Sequence, residues 1–197
     1  MIFVISVARY LRVPVAMEAL HIETKTERET AQLRVFRIPI GGPGSLFISV
    51  RPRGADWLAD EIAALAGQGI GVLVSLLEGE EQAELGLEHE GATCASHHIE
   101  FVAMPVPDLG APIETRAFVQ NVHRLTQLLR EGVSIAVHCR QSVGRSGLLA
   151  VSIAVASGMS LESALEVVSL ARGVRVPETD KQTDWLRSHV NDLSAPR

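Results

Sequence analysis

The stretch from Val133 to Ala156 constrains this chain more than any other. An apolar run, Val133 to Val137, leads through His138 into Cys139; Arg145, Ser146 and Gly147 follow, and a second apolar segment runs from Leu148 to Ala156. The short run predicts a buried strand, and the longer one predicts a helix that lies in the interior. A strand that ends in a loop and feeds a buried helix is a building unit of parallel sheets covered by helices.

The remaining chain supplies the other parts of such a sheet. Leu33 to Ile40 and Ser45 to Val50 read as two strands around the glycine-rich turn 41–44, a hairpin. Asp56 is placed to cap a helix with Leu58, Ile62 and Leu65 at helical spacing, ending near Gly67 and Gly69. Ile70 to Leu77 and Ile99 to Val106 read as further strands, the second closed by a turn over Leu109 to Pro112. Phe118, Val122, Leu125 and Leu129 form one stripe of an amphipathic helix over Glu114 to Glu131, stopped at Gly132. Gly158 ends the buried helix, Ser160 caps one that carries Leu161, Ala164, Leu165 and Val168, and Thr179 to Leu193 forms the last. Six glutamates between Glu78 and Glu90 predict a solvated helical face, with a partner-binding surface as the alternative. The fold expected is α/β: a mostly parallel central sheet of about four to five strands, flanked by helices on both faces, with an N-terminal hairpin extension. Residues 1–32, with an edge-strand candidate at Ile2 to Val7, form an N-terminal extension of uncertain structure.

The chemistry follows from the loop. Backbone N–H groups at a helix entrance converge on one point, and the helix N-terminus adds partial positive charge there, so the concavity suits a tetrahedral oxyanion. Arg145 is placed to hold two of that anion's oxygens with its forked donors. The same field favours the thiolate of a cysteine at the position of Cys139. A thiolate beneath a bound phosphate is a nucleophile aimed in line at phosphorus. The departing oxygen then needs a proton, so a carboxylic acid is expected on a neighbouring loop at the carboxyl edge of the sheet. Asp108, set between Pro107 and Gly110 after the 99–106 strand, is the candidate; a turn-forming aspartate is the alternative. The nucleotide-type phosphate loop, Gly-x4-Gly-Lys-Ser/Thr, is absent from the sequence.

His138-Cys139-x5-Arg145-Ser146 after a strand resembles the signature loop of the protein tyrosine phosphatase superfamily, and the setting of Asp108 resembles the general-acid loop of its dual-specificity branch. The resemblance covers roughly Arg51 to Leu193, and it implies a phosphatase-like catalytic domain over 33–197. It implies Cys139 as nucleophile, Asp108 as general acid, Ser146 as hydrogen-bond donor to the sulfur, and a phosphate cradle made of Arg140, Gln141, Ser142, Val143, Gly144 and Arg145. His138 then orients the loop and favours the thiolate. Gln182 matches the segment where this superfamily often keeps a glutamine near the site, with a surface glutamine as the alternative; Arg175 adds charge to the pocket or lies exposed. No metal and no organic cofactor is implied. One departure stands out: Ser142 occupies a position that is usually glycine. If the loop requires positive φ there, serine costs about 1–2 kcal/mol of strain, unless its hydroxyl finds a local acceptor. Val143 stands where phosphoinositide-directed members typically carry lysine, which leaves Arg140 as the one basic side chain added by the loop.

Composition narrows the partners. A formal charge of −5 without a Lys/Arg run or an aromatic platform argues against a nucleic-acid partner. Cys94 and Cys139 are the only cysteines, so there is no disulfide framework, and a catalytic thiol fits the reducing cytoplasm. A structural role for Cys94 is favoured over a reversible disulfide with Cys139, and Cys94 with His97 and His98 lacks the second ligand pair that a zinc site needs. Met1 to Val7 lacks the basic flank of a secretory signal, and no segment reaches the length of a membrane span. The expected substrate is a phosphorylated protein, carrying phosphotyrosine with phosphoserine and phosphothreonine as further candidates. A small phosphorylated metabolite or lipid is the alternative within phosphatases. A catalytically weak phosphopeptide-binding module and rhodanese-like sulfur transfer are the competing readings outside them. The oligomeric state is open.

Overall fold

A computed structural model describes residues 33–194; the expected N-terminal extension and its candidate strand at Ile2 to Val7 lie outside the described residues. Five strands form one sheet in the order β1-β2-β5-β3-β4: β1 (Val35–Ile38), β2 (Leu46–Ser49), β3 (Ile70–Ser75), β4 (Glu100–Ala103) and β5 (Ser134–His138). The hairpin places β1 antiparallel to β2, while β2 with β5, β5 with β3, and β3 with β4 are parallel. The seven helices among the described residues are α1 (Leu58–Gly67), α2 (Gly79–Glu84), α3 (Glu90–Ser96), α4 (Thr115–Arg130), α5 (Gly144–Ala156), α6 (Leu161–Arg172) and α7 (Asp180–Leu193).

The pleat of β5 sorts the interior into two layers. Ile135 and Val137 face a core shared with α4, α5, α6 and α7, while Ala136 faces a second core shared with α1, Cys94 of α3 and Ile99. Cys139 continues the first face. Apolar residues on both faces of the strand are what a parallel sheet covered on both sides requires. Every residue of α5 is buried, as its apolar sequence demands, and a Cβ on Gly147 would sit 2.6 Å from Val176 Cβ. That glycine is what lets the start of α5 lie against the segment that follows α6.

Capping chemistry explains several boundaries. Ser160 Oγ accepts from Ser163 N at the start of α6, and Thr179 forms a capping box with Gln182 at the start of α7. Asp56 does not cap α1: it lies inside a 3-10 turn, Ala55–Trp57, that precedes the helix. The expected helical face over Glu78 to Glu90 is two helices, α2 and α3, separated by a turn, and it is not uniformly solvated. Glu90 is buried and Glu81 is nearly so, the first against the ring of His138 at the end of β5 and the second against the guanidinium of Arg145 at the start of α5. No helix among the described residues is long and apolar enough to cross a membrane.

Candidate active site

The segments that leave β3, β4 and β5 at their carboxyl ends converge on the loop from Cys139 to Val143. Cys139 follows β5 directly, and its Sγ lies 3.4 Å from Ser146 Oγ in the first turn of α5. Asp108, Leu109, Cys139, Gln141, Gly144, Arg145, Glu178 and Gln182 line one small cleft above the sulfur. Cys139, Arg145, Asp108 and Gln182, four residues from three separate stretches of sequence, therefore share one concavity.

Arg145 is 2% exposed and densely held. Its Nη1 donates to Glu81 Oε2 at 2.5 Å, Val106 O at 3.1 Å and Leu76 O at 3.3 Å; Nη2 donates to Glu81 Oε1 at 2.9 Å and lies 3.0 Å from Asp108 Oδ1. Burial is the largest single influence and opposes the guanidinium charge, but the Glu81 hydrogen bonds and the electrostatic pull of Cys139, Glu81 and Asp108 together outweigh it, so the pKa of Arg145 ends above its ordinary value. Glu81 is itself aimed by Glu78 N, which donates to Oε2 at 3.0 Å. The bidentate carboxylate fixes the plane of the arginine fork, and Asp108 rests on the Nη2 edge of that fork at the cleft.

The Arg145 hydrogen bonds hold the Glu81 carboxyl below the usual carboxylate range, against an opposing push from burial. A depressed carboxyl pKa adds stability that is fully present above the unfolded-state value and is lost as pH falls through the folded one. Acid titration of thermal stability should therefore show a loss beginning below about pH 4.5, the unfolded carboxylate region. Glu81→Gln should flatten part of it. An unchanged acid limb in Glu81→Gln would show that the pair contributes nothing.

Ser142 resolves the departure seen in sequence. Its φ is +56°, the left-handed region that favours glycine, and its Oγ donates to Ser49 O at 2.6 Å, at the end of β2. The acceptor is 93 residues away, so the bond anchors the loop to the sheet where a local contact was expected. Arg172 holds the same turn from the other side, Nε donating to Ser142 O at 2.7 Å and Nη2 to Gln141 O at 3.4 Å. Ser142→Ala keeps the strain and removes a buried hydrogen bond, a loss of about 1–3 kcal/mol. Ser142→Gly relieves the strain and should cost less. Thermal or urea unfolding of the two variants checks that order, and the reverse order would show that the hydroxyl is not an anchor.

The other expected site residues fall as follows. Arg140 forms an exposed bidentate pair with Glu84 at 2.9 and 2.7 Å, and its side chain is not among those lining the cleft. Val143 packs against the first core. His138 lies on the face opposite Cys139, fully buried, with Nε2 3.1 Å from Glu90 Oε1; the approach is close but off the line of a good hydrogen bond. The contact wedges the imidazole between β5 and α3, beneath the loop. Gln182 is fully buried: Oε1 accepts from Glu178 N and Thr179 N at 3.2 Å each, and Nε2 donates to Gly110 O at 2.9 Å. It ties the Asp108 loop to the start of α7 while lining the cleft. Leu109, with φ of +53°, is held there too, its O accepting from Thr179 Oγ1 at 3.2 Å. Arg175 is exposed and lies 3.6 Å from Asp180. Cys94 is buried in the second core as a free thiol, and that burial, helped by the Glu90 carboxylate, pushes its pKa up to about 12.

Glu81, Glu90 and Arg172 escaped the sequence reading as site residues. Glu81 and Glu90 lie among six similar glutamates, and Arg172 sits at the end of a helix with no local signal that marks it.

A mostly parallel sheet with this cysteine-arginine loop at its carboxyl edge defines a member of the protein tyrosine phosphatase superfamily, of the dual-specificity type. The chain belongs to the family described as "Polymorphic toxin system, DSP-PTPase phosphatase", whose model matches residues 49–159. Its fold is similar to that of kinase associated phosphatase with the catalytic cysteine replaced by serine, at TM-score 0.75 and 17% identity over 85% of this chain and 99% of that one. Tk-PTP in its active form is similar at TM-score 0.65 and 26% identity, covering 79% and 97% of the two chains. PTPMT1 in complex with PI(5)P is similar at TM-score 0.62 and 15% identity, covering 81% and 96%. No curated protein matches the chain.

Proposed function

We propose that the chain hydrolyses phosphate monoesters on proteins, phosphotyrosine first, through a phosphocysteine intermediate, and that 33–197 is its catalytic domain. The observation that carries this reading is the meeting of Cys139, Arg145 and Asp108 in one cleft, with the buried Ser146 hydroxyl 3.4 Å from the sulfur. The incoming phosphate takes the Arg145 donors on which Asp108 now rests and leaves the Asp108 carboxyl facing the ester oxygen. The Cys139 thiolate forms a bond to phosphorus as the P–O bond breaks, and Asp108 delivers its proton to the departing oxygen. Arg145 and the amides of 140–145 stabilise the equatorial oxygens. Water then attacks phosphorus and gives its proton to Asp108, while the sulfur departs as a thiolate with the Ser146 hydroxyl donating to it. The products are the free hydroxyl compound and inorganic phosphate. A reducing compartment such as the cytoplasm suits the thiol.

Among the described residues Arg145 is the one cationic side chain lining the cleft, and Arg140 pairs with Glu84 outside it. A polyphosphorylated headgroup finds no second cation there, which favours a single phosphate on a protein side chain over an inositol lipid.

The test joins two measurements. Acid-quenched reaction of the protein with an aryl phosphate should leave phosphate on the peptide that contains Cys139, as read by mass spectrometry. Asp108→Asn should lower kcat by roughly 10²–10⁴-fold for esters with poor leaving groups and far less for those with good ones. Turnover without label on Cys139, or an Asp108→Asn loss that ignores the leaving group, would overturn the mechanism.

A further inference from the structure

A second concavity opens at the same sheet edge as the catalytic cleft. It has a volume of about 470 Å³ and is walled by Met104, Pro107, Ile113 and Phe118, with the carboxylate residues Glu78 and Glu114 among its lining. Glu78 follows β3, the 104–114 segment follows β4, and Phe118 belongs to α4. One loop separates the two spaces: Pro107 lines the larger one, and the next residue, Asp108, lines the cleft. The catalytic chemistry makes no use of the larger space.

We propose that this pocket is a docking subsite for the polypeptide that carries the phosphate, taking an apolar side chain next to a lysine or arginine close to the phosphorylated residue. The proposal deepens, and rests on, the phosphatase reading above. Three observations select this occupant. The walls are apolar, and Ile113 is 76% exposed, which leaves a large hydrophobic side chain uncovered at the rim. The charged lining residues are both acidic, with no cationic side chain among them, so the pocket complements a base and repels an anionic headgroup. The two spaces share a wall one loop thick, so an occupant that fills both must present a phosphorylated group and a separate apolar-cationic group from one flexible backbone. A peptide does this with neighbouring side chains.

The experiment compares kcat/KM for phosphotyrosine peptides that carry Leu-Lys, Leu-Glu or Ala-Ala on either flank, with a small aryl phosphate as the reference that cannot reach the pocket. The Leu-Lys flank should be preferred over Leu-Glu by roughly three- to tenfold, the range that the exposed Glu114 and the half-buried Glu78 supply. Glu114→Lys should cancel that preference, because Glu78 then faces a lysine, and Ile113→Asp should erase the benefit of leucine, each read as the ratio of peptide to aryl phosphate kcat/KM. Both positions are exposed, and circular dichroism would confirm that the variants fold. The same flanks are ranked by fluorescence anisotropy on the Cys139→Ser protein, which needs no turnover. Wild-type protein that leaves the aryl phosphate intact would sink the phosphatase reading, while the anisotropy ranking still decides the pocket. Equal values across flanks, a preference for Leu-Glu, variants that change peptide and aryl phosphate alike, or stronger binding to phosphoinositide vesicles would overturn the docking site.

Discussion

Cys139→Ser is expected to abolish turnover of an aryl phosphate while leaving the fold and the binding of phosphopeptide in place. With Cys139 as the proposed nucleophile, its removal should cost kcat a factor on the order of 10⁶. Among the described residues Cys139 is the one thiol lining the cleft: the neighbouring Ser146 is buried beneath it, and Cys94 lies in the other core with its thiol pushed up to about 12. A serine hydroxyl occupies less volume than the thiol and can still bond Ser146, so the loss should be chemical rather than structural. Unfolding midpoints should agree closely between the two proteins, and a labelled phosphotyrosine peptide should stay bound. Activity that survives in Cys139→Ser would transfer the chemistry to another group. A wild-type protein that binds the peptide and never turns it over would make the chain a recognition module.

The elements that position this site were legible because their sequence signals are local. The run Val133 to Val137 and the apolar α5 report burial as unbroken apolar stretches, and the stripe Phe118, Val122, Leu125 and Leu129 reports it through helical spacing. Cys139, Arg145 and Ser146 were legible because one loop carries all three at fixed spacing. What the sequence hid is what arrives from a distance. Glu81 and Glu80 are adjacent and chemically identical; only the direction of α2 turns the first onto Arg145 and the second into solvent. Glu90 reaches His138 from the opposite layer, and Arg172 reaches the Gln141 and Ser142 carbonyls from the end of α6. Ser142 shows the limit from the other side. Its positive φ was inferable from its position in the loop, but the hydroxyl's acceptor, Ser49 O, depends on β2 lying beside β5.

Arg145→Lys tests whether the fork or merely the charge matters. Lysine keeps a cation in the same place but offers one nitrogen where arginine offers a plane of donors. Here that plane is divided: Nη1 and Nη2 both bond Glu81, Nη1 also serves Val106 O and Leu76 O, and Nη2 faces Asp108 at the position an incoming phosphate would take. An ammonium cannot satisfy Glu81, two carbonyls and a phosphate together, so binding one set leaves the other unpaired. A loss of roughly 10³–10⁵-fold in kcat is expected, the range over which an arginine stabilises a transferring phosphoryl group. The stability cost should split from the catalytic one. Lysine still neutralises Glu81, so Arg145→Lys should unfold later than Arg145→Ala, which strands the carboxylate and two buried carbonyls at a cost of about 1–3 kcal/mol. Glu81→Gln provides the cross-check, because a carboxylate that only aims the fork should matter greatly beside Arg145 and little beside lysine. A double-mutant cycle in kcat/KM should therefore be strongly non-additive. Additive losses would mean that Glu81 and Arg145 act separately, and near-wild-type turnover in Arg145→Lys would mean that charge alone holds the phosphate.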